Sequence, residues 1–201
     1  MLGVISTVIY IKEANTKGYI RVGVELDGVK HHFTVTEAEY REAGSPLTRD
    51  ILTRDTFSAL QYGDMRYRAM LKALRILSFG DNSELMLSRK LFSAGFSRDI
   101  IEEAVSECVR LGYINSKRQL KNLIINEVNN KNQGMAKIVP KLISKGYRRA
   151  DIEEVADMLS ESGEIDFSGA RERLILKLGE NPDSEKIKKT LYKNGHTGYD
   201  L

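Results

Sequence analysis

The pattern of apolar and polar positions changes once along the chain. Its first part contains three segments rich in β-branched residues with a partial period of two, at 4–12, 18–26 and 29–36. Such alternation places apolar side chains on one face of a strand. Between the last two segments, Asp27-Gly28 is typical of a two-residue hairpin turn, in which both residues take a positive φ. A three-stranded antiparallel sheet is therefore predicted.

Two short helices are predicted after this sheet. The segment TEAEYREAG favours a short helix that Gly44 ends, and Ser45-Pro46 interrupt the chain before a second helix near 48–60. We expect residues 1–61 to form a β-rich N-terminal domain that includes one or two short helices.

From Asp64 onward, apolar residues recur with a helical period of 3.6 residues. Each apolar stripe covers about 100° of a helix surface, so each helix is amphipathic and must pack against another helix. The connecting loops are short, which favours helices that are neighbours in space. The residues predicted on these stripes include Leu71, Leu85, Phe92, Leu111, Ile143 and Tyr192.

A sixteen-residue phrase occurs twice in this helical part. KLFSAGFSRDIIEEAV spans 90–105, and KLISKGYRRADIEEVA spans 141–156, an offset of 51 residues. The phrase places Gly95 and Gly146 at the same position, and a third copy at a shift of 49 residues places Gly195 there. Each copy is predicted to be one unit of three helices.

The repeat predicts the fold class. We expect residues 62–201 to form three tandem three-helix repeats, at about 64–114, 115–165 and 166–201, with the last one truncated. Three helices with one apolar face each bury little surface alone, so stacked units would share a continuous core. The predicted fold is mainly α, an elongated solenoid of helical repeats preceded by the small antiparallel β-rich domain.

The repeated residues have structural explanations. Gly95 and Gly146 follow apolar helices and suit the left-handed position that ends a helix. Asn115 and Asp166 are good N-caps for the next helix. The paired glutamates of the phrase lie in first helical turns, where the helix dipole favours acids. The phrase is therefore predicted to be scaffold rather than a reactive site.

Composition and charge exclude several classes of protein. The single cysteine, Cys108, excludes an internal disulfide framework and fits a reducing cytoplasm. The net charge of +3, from 31 basic and 28 acidic residues, is too small to indicate a nucleic-acid binder by itself. No apolar run approaches the roughly 20 residues of a membrane span, and the first residues lack the basic segment of a signal peptide. We expect a cytoplasmic protein without membrane contact.

The chain offers no recognisable set of catalytic or metal-binding residues. His31 and His32 are neighbours in a strand, so their side chains point to opposite faces, and His196 is remote in sequence. Cys108 lies on an apolar helical stripe and is better explained as a small core residue than as a nucleophile. We therefore expect neither enzymatic activity nor a cofactor or metal.

The segment SELMLSRKLFSAGFSRDIIEEAVSECVRLGYINSKRQL, residues 83–120, resembles the repeat of the RecX family of RecA regulators. In that family a helix ends in Gly plus an aromatic or aliphatic residue, and a helix rich in Ile and Glu follows. The matching positions are Ser83, Glu84, Leu85, Leu91, Gly95, Phe96, Ile101, Glu102, Leu111, Gly112, Tyr113, Ile114 and Asn115. The resemblance covers about 64–195, and the β-rich leader looks like the N-terminal region of some members.

The chain departs from the family pattern in two places. Its third repeat stops at HTGYDL, where the family usually continues into a last helix. The family often has an acidic pair after the Gly-Tyr/Leu-Ile/Leu motif, and this chain has Asn115-Ser116 and Asp166-Phe167 there.

The resemblance implies a partner and a function. Members of the family are expected to lie in the deep groove of a RecA–DNA filament and to inhibit strand exchange, ATP hydrolysis and co-protease activity. The implied function is a non-enzymatic regulator of DNA repair, homologous recombination and the SOS response. The expected partner is the RecA filament, with direct contact to single- or double-stranded DNA left open, and we expect the protein to be a monomer.

Basic residues accumulate on polar positions of the predicted repeat helices. We predict that they contact acidic filament surface or DNA phosphate, because the first, fourth and seventh helices are equivalent in the repeats and are all basic. The alternative is an ordinary solvated surface, since many have acidic neighbours. The predicted contact residues are Arg66, Arg68, Lys72, Arg75, Lys117, Arg118, Lys121, Lys137, Lys141, Arg148, Arg149, Arg171, Arg173 and Lys177.

One rival hypothesis is kept open. A helical repeat protein could bind DNA through the same cations without any need for RecA. Such binding would be independent of RecA and would weaken steeply with salt.

Overall fold

The computed structural model describes residues 6–198, which start with a curled antiparallel sheet. The strands are β1 (Ser6–Glu13), β2 (Tyr19–Leu26), β3 (Val29–Thr36) and the short β4 (Ile51–Leu52), in the order β3-β2-β1-β4. The three predicted strands are confirmed within this range, and residues 4 and 5 of the first lie outside the described residues. Strand β4 is an addition that the alternation pattern did not predict.

The hairpin between β2 and β3 has the predicted turn. Asp27 and Gly28 take φ values of 50° and 77°. The two strands then pair in register from Leu26 opposite Val29 to Tyr19 opposite Thr36. Positive φ at both turn residues matches the right-handed twist of the flanking strands.

The sheet buries one face against a long helix. Helix α1 (Glu37–Glu42) follows β3, and helix α2 runs over Arg54–Ser78. Val22, Val24 and Val35 of the sheet are fully buried in a cluster that includes Leu60 of α2. The N-terminal sheet and the first repeat helix therefore share one core.

The predicted helix near 48–60 is corrected by the structure. Residues 51–52 form β4, which pairs with Ser6 and Thr7 of β1, and the following helix continues through Asp64 without a break. Residues 61 and 62, the predicted domain boundary, lie inside α2. Gly63 lies within the helix, where it packs so closely on Val35 that a Cβ would lie 2.8 Å from Val35 Cγ1.

The remaining helices follow the predicted order. Two belong to the first repeat in addition to α2, three to the second and two to the third. They are α3 (Glu84–Ser93), α4 (Arg98–Arg110), α5 (Ser116–Ile125), α6 (Met135–Ser144), α7 (Arg149–Glu161), α8 (Phe167–Leu176) and α9 (Ser184–Lys193). The predicted fold class, helical repeats preceded by a β-rich N-terminal region, is confirmed over the described residues.

Two compact units can be distinguished. One comprises 6–78 and 90–108, and the other comprises 79–89 and 109–198. The second unit has its own core, in which the fully buried Ile138 contributes from α6.

Each copy of the repeat ends its second helix in the same way. Gly95, Gly146 and Gly195 take φ values of 89°, 91° and 82°, as predicted for left-handed helix ends. The next backbone N–H bonds back to the carbonyl of a buried leucine five residues earlier, from Phe96 to Leu91, from Tyr147 to Leu142 and from His196 to Leu191. This pair of features is the Schellman motif.

The predicted N-caps are also present. The Asn115 Oδ1 accepts a hydrogen bond from the Arg118 N–H at 3.0 Å, and the Asp166 Oδ1 accepts one from the Gly169 N–H at 2.9 Å. These bonds satisfy backbone donors that have no partner within α5 and α8.

Several residues of the predicted apolar stripes are exposed rather than buried. The exposed residues are Leu71, Leu85, Phe92, Leu111, Ile143 and Tyr192. The reason is geometric: each repeat helix contacts its neighbours over a narrower face than the 100° stripe. The second helices of the first two repeats instead bury Leu87, Leu91, Ile138 and Leu142.

A buried ion pair follows helix α5. Its C-terminal end continues as a π-helical turn, Asn126–Asn130, and the extra residue per turn directs Glu127 inward. The Glu127 side chain is 3% exposed, and its Oε1 accepts hydrogen bonds from Lys131 Nζ and Lys141 Nζ, both at 2.7 Å. Burial by itself would raise the pKa of Glu127, but the two lysine hydrogen bonds outweigh it and lower the pKa.

Alanine at the repeated glycines should separate backbone strain from crowding. Gly95→Ala places a side chain in the left-handed region and should cost about 1–2 kcal/mol. Gly146→Ala carries the same strain and also places its Cβ 2.6 Å from Leu85 Cβ, so it should cost about 1–3 kcal/mol more. Urea unfolding of both variants measures the difference. Equal losses would contradict the close packing at Gly146.

Glu127→Gln should lower the free energy of unfolding by about 2–3 kcal/mol at pH 7, because it removes a buried charge bonded to two lysines. The folded-state pKa of Glu127 lies below its unfolded value. Its contribution is therefore present above about pH 4.3 and is lost as the pH falls through the folded-state pKa.

Urea unfolding between pH 7 and pH 3 checks the Glu127 prediction, with Glu164→Gln as control. Glu164 pairs with Lys121 at the surface, so its replacement should cost much less than that of Glu127. A Glu127→Gln deficit that stayed constant as the pH fell would contradict the ion-pair explanation.

Candidate functional site

Half of the basic residues predicted to contact a partner are paired with carboxylates inside the chain. The distances between their nitrogen and oxygen atoms range from 2.6 to 3.8 Å. All of these pairs neutralise positive charge. The exposed ones contribute little to stability, whereas Lys141 pairs with the buried carboxylate of Glu127. The pairs are Arg66 with Glu39 and Glu103, Arg68–Asp64, Lys117–Glu154, Lys121–Glu164, Lys141–Glu127, Arg148–Asp151 and Arg149–Glu153.

Arg66 is the centre of a polar cluster between α1, α2 and α4. Its Nε lies 2.6 Å from Glu103 Oε2, and its Nη1 lies 3.4 Å from Glu39 Oε1. One turn earlier on α2, the Tyr62 hydroxyl donates to Asp99 Oδ2 at 2.8 Å and to Glu103 Oε1 at 3.2 Å. The hydrogen bond to Asp99 is the largest of the effects that raise the pKa of Tyr62 to about 12. Arg66 thus ties helices together.

A cavity of about 290 Å³ lies beside this cluster. Its lining includes Tyr19, Tyr67 and Met70 in addition to Arg66 and the two carboxylates that bind it. Burial raises the pKa of Tyr19. Two of the carboxylates that line the cavity, Glu39 and Glu103, form ion pairs with Arg66, and the cavity lies at the junction of the sheet and the helices.

Two further predicted contact residues lie near the end of the described chain. The Arg173 Nε donates to the Asn132 Oδ1 at 2.7 Å. Arg171 lies close to the buried His196, whose Nε2 is 3.0 Å from the Asn132 carbonyl oxygen. Burial is the main cause that lowers the pKa of His196, and Arg171 lowers it further. The bond of Arg173 thus joins α8 to the segment that follows the π-helical turn.

Five of the predicted cations carry no ion pair with any residue that the structure describes. All five have exposed side chains. Lys72 and Arg75 are three residues apart on α2 and so share one face of that helix. The unpaired set is Lys72, Arg75, Arg118, Lys137 and Lys177.

A second repeated surface feature was not predicted from the sequence. Phe92, Ile143 and Tyr192 stand directly after the buried leucine in the three copies of the second helix, and they are 64%, 40% and 74% exposed. An apolar residue kept at one exposed repeat position marks an interaction site more strongly than a scattered one. The signal was in the sequence, because the offsets of 51 and 49 residues align the three positions.

The histidines and the cysteine lie where their sequence context predicts. His31 packs against Phe57 with ring centroids 5.6 Å apart, and His32 lies on the opposite face of β3 beside Tyr10. Cys108 is buried, and burial raises the pKa of its thiol. Between residues 6 and 198, no group of three or more His, Cys, Asp or Glu side chains could hold a metal ion.

In the same part of the chain, no helix combines the length and the apolar character that crossing a membrane requires.

Comparison with known proteins shows similarity to one family over part of the chain. Residues 69–108 match the family model described as RecX, first three-helix domain. The regulatory protein RecX of Clostridioides difficile (strain 630) is 31% identical over 103 residues, which cover 51% of this chain. The matched segment spans about half of that protein, 48% of its length.

Solved structures show the same fold. A crystal structure of regulatory protein RecX superimposes with a TM-score of 0.69 and 18% identity, and it covers 94% of this chain and 91% of that one. RecX from Lactobacillus salivarius gives a TM-score of 0.58 with 21% identity over 67% of this chain and 90% of the other. The resemblance to the RecX family that the repeated phrase predicts is therefore confirmed, by sequence in the first three-helix unit and by fold along most of the chain.

Proposed function

We propose that this protein is a cytoplasmic, non-enzymatic regulator that binds the RecA nucleoprotein filament and inhibits its strand exchange, ATP hydrolysis and co-protease activity. The observation that carries the proposal is the sequence similarity to RecX proteins, which includes the family match at 69–108 and the regulatory protein of Clostridioides difficile. The proposed outcome is restraint of DNA repair and homologous recombination by RecA.

The repeats supply the kind of surface that such binding needs. A helical repeat protein presents similar surfaces several times, and several modest contacts to one partner add up to a high affinity. The exposed Phe92, Ile143 and Tyr192 supply one apolar side chain in each repeat. Large side chains of this kind are common at the energetic centre of protein interfaces.

The unpaired cations supply the electrostatic part of the proposed interface. Lys72, Arg118 and Lys177 are exposed and lie on or directly after α2, α5 and α8, the equivalent first helices of the three repeats. They are free to face acidic protein surface or DNA phosphate. Charges of this kind mainly accelerate and orient association, and their effect falls with salt.

The direct test is RecA-driven strand exchange with increasing amounts of the protein. We expect inhibition that reaches completion near a fixed ratio of the protein to RecA. The absence of inhibition at several-fold excess over RecA would overturn the proposal.

Reversal of the unpaired cations should weaken inhibition. The variant Lys72→Glu/Arg118→Glu/Lys177→Glu should raise the half-inhibiting concentration by about tenfold or more, since each lost charge contact costs a fraction of the 1.4 kcal/mol that corresponds to tenfold. The matched control is Lys17→Glu/Arg41→Glu/Arg54→Glu, which makes the same charge change at exposed positions before the predicted repeats, which begin at about residue 64. Equal inhibition by the two folded variants would contradict the assignment of these cations.

Removal of the repeated apolar side chains should weaken inhibition to the same extent at low and at high salt. Phe92→Ser/Ile143→Ser/Tyr192→Ser should raise the half-inhibiting concentration by about tenfold or more at every salt concentration, because apolar contacts are not screened. The control, Leu47→Ser/Met158→Ser/Leu176→Ser, removes equally exposed apolar side chains that do not recur between copies. If the control variant lost as much inhibition as the test variant, the repeated positions would have no special role.

A second candidate function uses the same unpaired cations. The protein could bind DNA directly, without RecA, through Lys72, Arg118 and Lys177. Binding of labelled single-stranded DNA, with and without RecA, separates the two functions. Tight binding that is independent of RecA and falls steeply with salt would favour this alternative.

A further inference from the structure

The outer face of the N-terminal sheet carries an aromatic row that the proposed function does not use. Tyr10 of β1 lies opposite Gly23 of β2, and Gly23 lies opposite His32 of β3. Directly opposed residues point to the same face of a sheet. Val22 and Val24, the neighbours of Gly23, are buried in the core on the other face. The row therefore lies on the side away from the core.

Gly23 is explained by the tyrosine ring above it. The Tyr10 ring lies so close over this backbone that a Cβ at Gly23 would stand 2.6 Å from Tyr10 Cδ1 and 2.9 Å from Tyr10 Cζ. Gly23 is not among the residues with positive φ, so its backbone conformation does not require glycine. The absence of a side chain on the central strand lets the ring lie flat across it.

Tyr10 and His32 together form a platform of two rings. The Tyr10 hydroxyl and the His32 Nδ1 are 3.0 Å apart, which is a hydrogen bond. The ring centroids are 5.7 Å apart, and the ring planes differ by 26°. A register shift in β1 between Val8 and Tyr10 changes the direction of the strand at this point. The two rings thus form one nearly flat surface that reaches over three strands.

Cations surround this platform on the same face. Lys12 Nζ lies 5.3 Å from the centroid of the Tyr10 ring. Arg21 lies opposite Lys12 in the register, and Lys30 lies two residues before His32 on β3. Burial raises the pKa of Asp64, and Arg21 is near enough to that carboxyl to oppose the rise. Glu25 lies opposite Lys30. Lys12 and Lys30 make no ion pair with the described residues.

We infer that this face, which we call the Tyr10–His32 platform, binds single-stranded nucleic acid. Exposed aromatic rings on a sheet stack on unpaired bases, and nearby lysines and arginines meet the phosphates. A duplex keeps its bases stacked inside, and this flat surface has no helix or ribbon that would enter a groove. The inference concerns a different surface from the repeat cations and does not rest on RecA binding.

The test measures binding of a labelled oligo(dT) strand by fluorescence anisotropy in the absence of RecA. The probes are oligo(dT), an abasic strand of the same length and a duplex. The wild-type protein should bind oligo(dT) more tightly than either of the others, by about tenfold or more, because only oligo(dT) offers bases for stacking. Equal affinity for oligo(dT) and the abasic strand, or no binding of oligo(dT), would overturn the inference.

Variants separate stacking from charge. His32→Ala, at an exposed position, and Tyr10→Leu, which still covers Gly23, should each lower oligo(dT) affinity by about tenfold and leave abasic binding unchanged. Tyr10→Phe keeps the ring and should retain binding. Lys12→Gln/Lys30→Gln should reduce the slope of log affinity against log salt by about 1.4, since each phosphate contact on a single strand contributes about 0.7.

The outcome is distinguishable from that of the proposed function. If His32→Ala lost inhibition of RecA but bound oligo(dT) like the wild type, the platform would be a protein contact and the inference would fail. Conversely, the wild-type protein could fail to inhibit strand exchange while His32→Ala lost base-dependent binding of oligo(dT). That result would support the platform and overturn the proposed function.

Discussion

The glycine cap at the end of the second helix determines which apolar residues of that helix end are buried in each repeat and which are exposed. A left-handed glycine after the second helix lets the following N–H bond to the carbonyl of a buried leucine, at 3.4, 3.1 and 3.0 Å in the three copies. That bond fixes the last turn, so the leucine faces the core and the next residue lies about 100° further round the helix. The cap that closes the core therefore also exposes an apolar side chain, at Phe92, Ile143 and Tyr192.

The parts of the fold that depend on local chemistry could be predicted from the sequence. Helical periodicity, the Asp27-Gly28 turn and the Asn115 cap each follow from neighbouring residues, and all three are present. The two-residue strand β4 could not be predicted, because it exists only through its pairing with β1. The role of Gly63 inside α2 could not be predicted either, because its close packing against Val35 is a contact between distant parts of the sequence.

The set of cations that are free to bind a partner was less predictable, because it depends on which basic and acidic side chains form ion pairs in the fold. Lys117 and Lys121 of α5 bond to Glu154 and Glu164, 37 and 43 residues away. No rule of local spacing would find these pairs, whereas pairs at i,i+4 such as Arg149 with Glu153 follow from helix geometry. The aromatic row on the sheet was equally hard to predict, since the irregularity in β1 determines which residue lies opposite Gly23.

Pairing of charges changes what the repeat surface can do. With half of the predicted cations neutralised and a net charge of only +3, long-range attraction is weak, and at physiological salt charges separated by more than about 8 Å act almost independently. Affinity for a partner must then come from short-range contacts that are made several times. A repeat protein meets that requirement because one favourable position recurs in each copy, and the exposed residue after the buried leucine is such a position. The same glycine cap that stabilises each unit thus also gives the surface its repeated apolar contact.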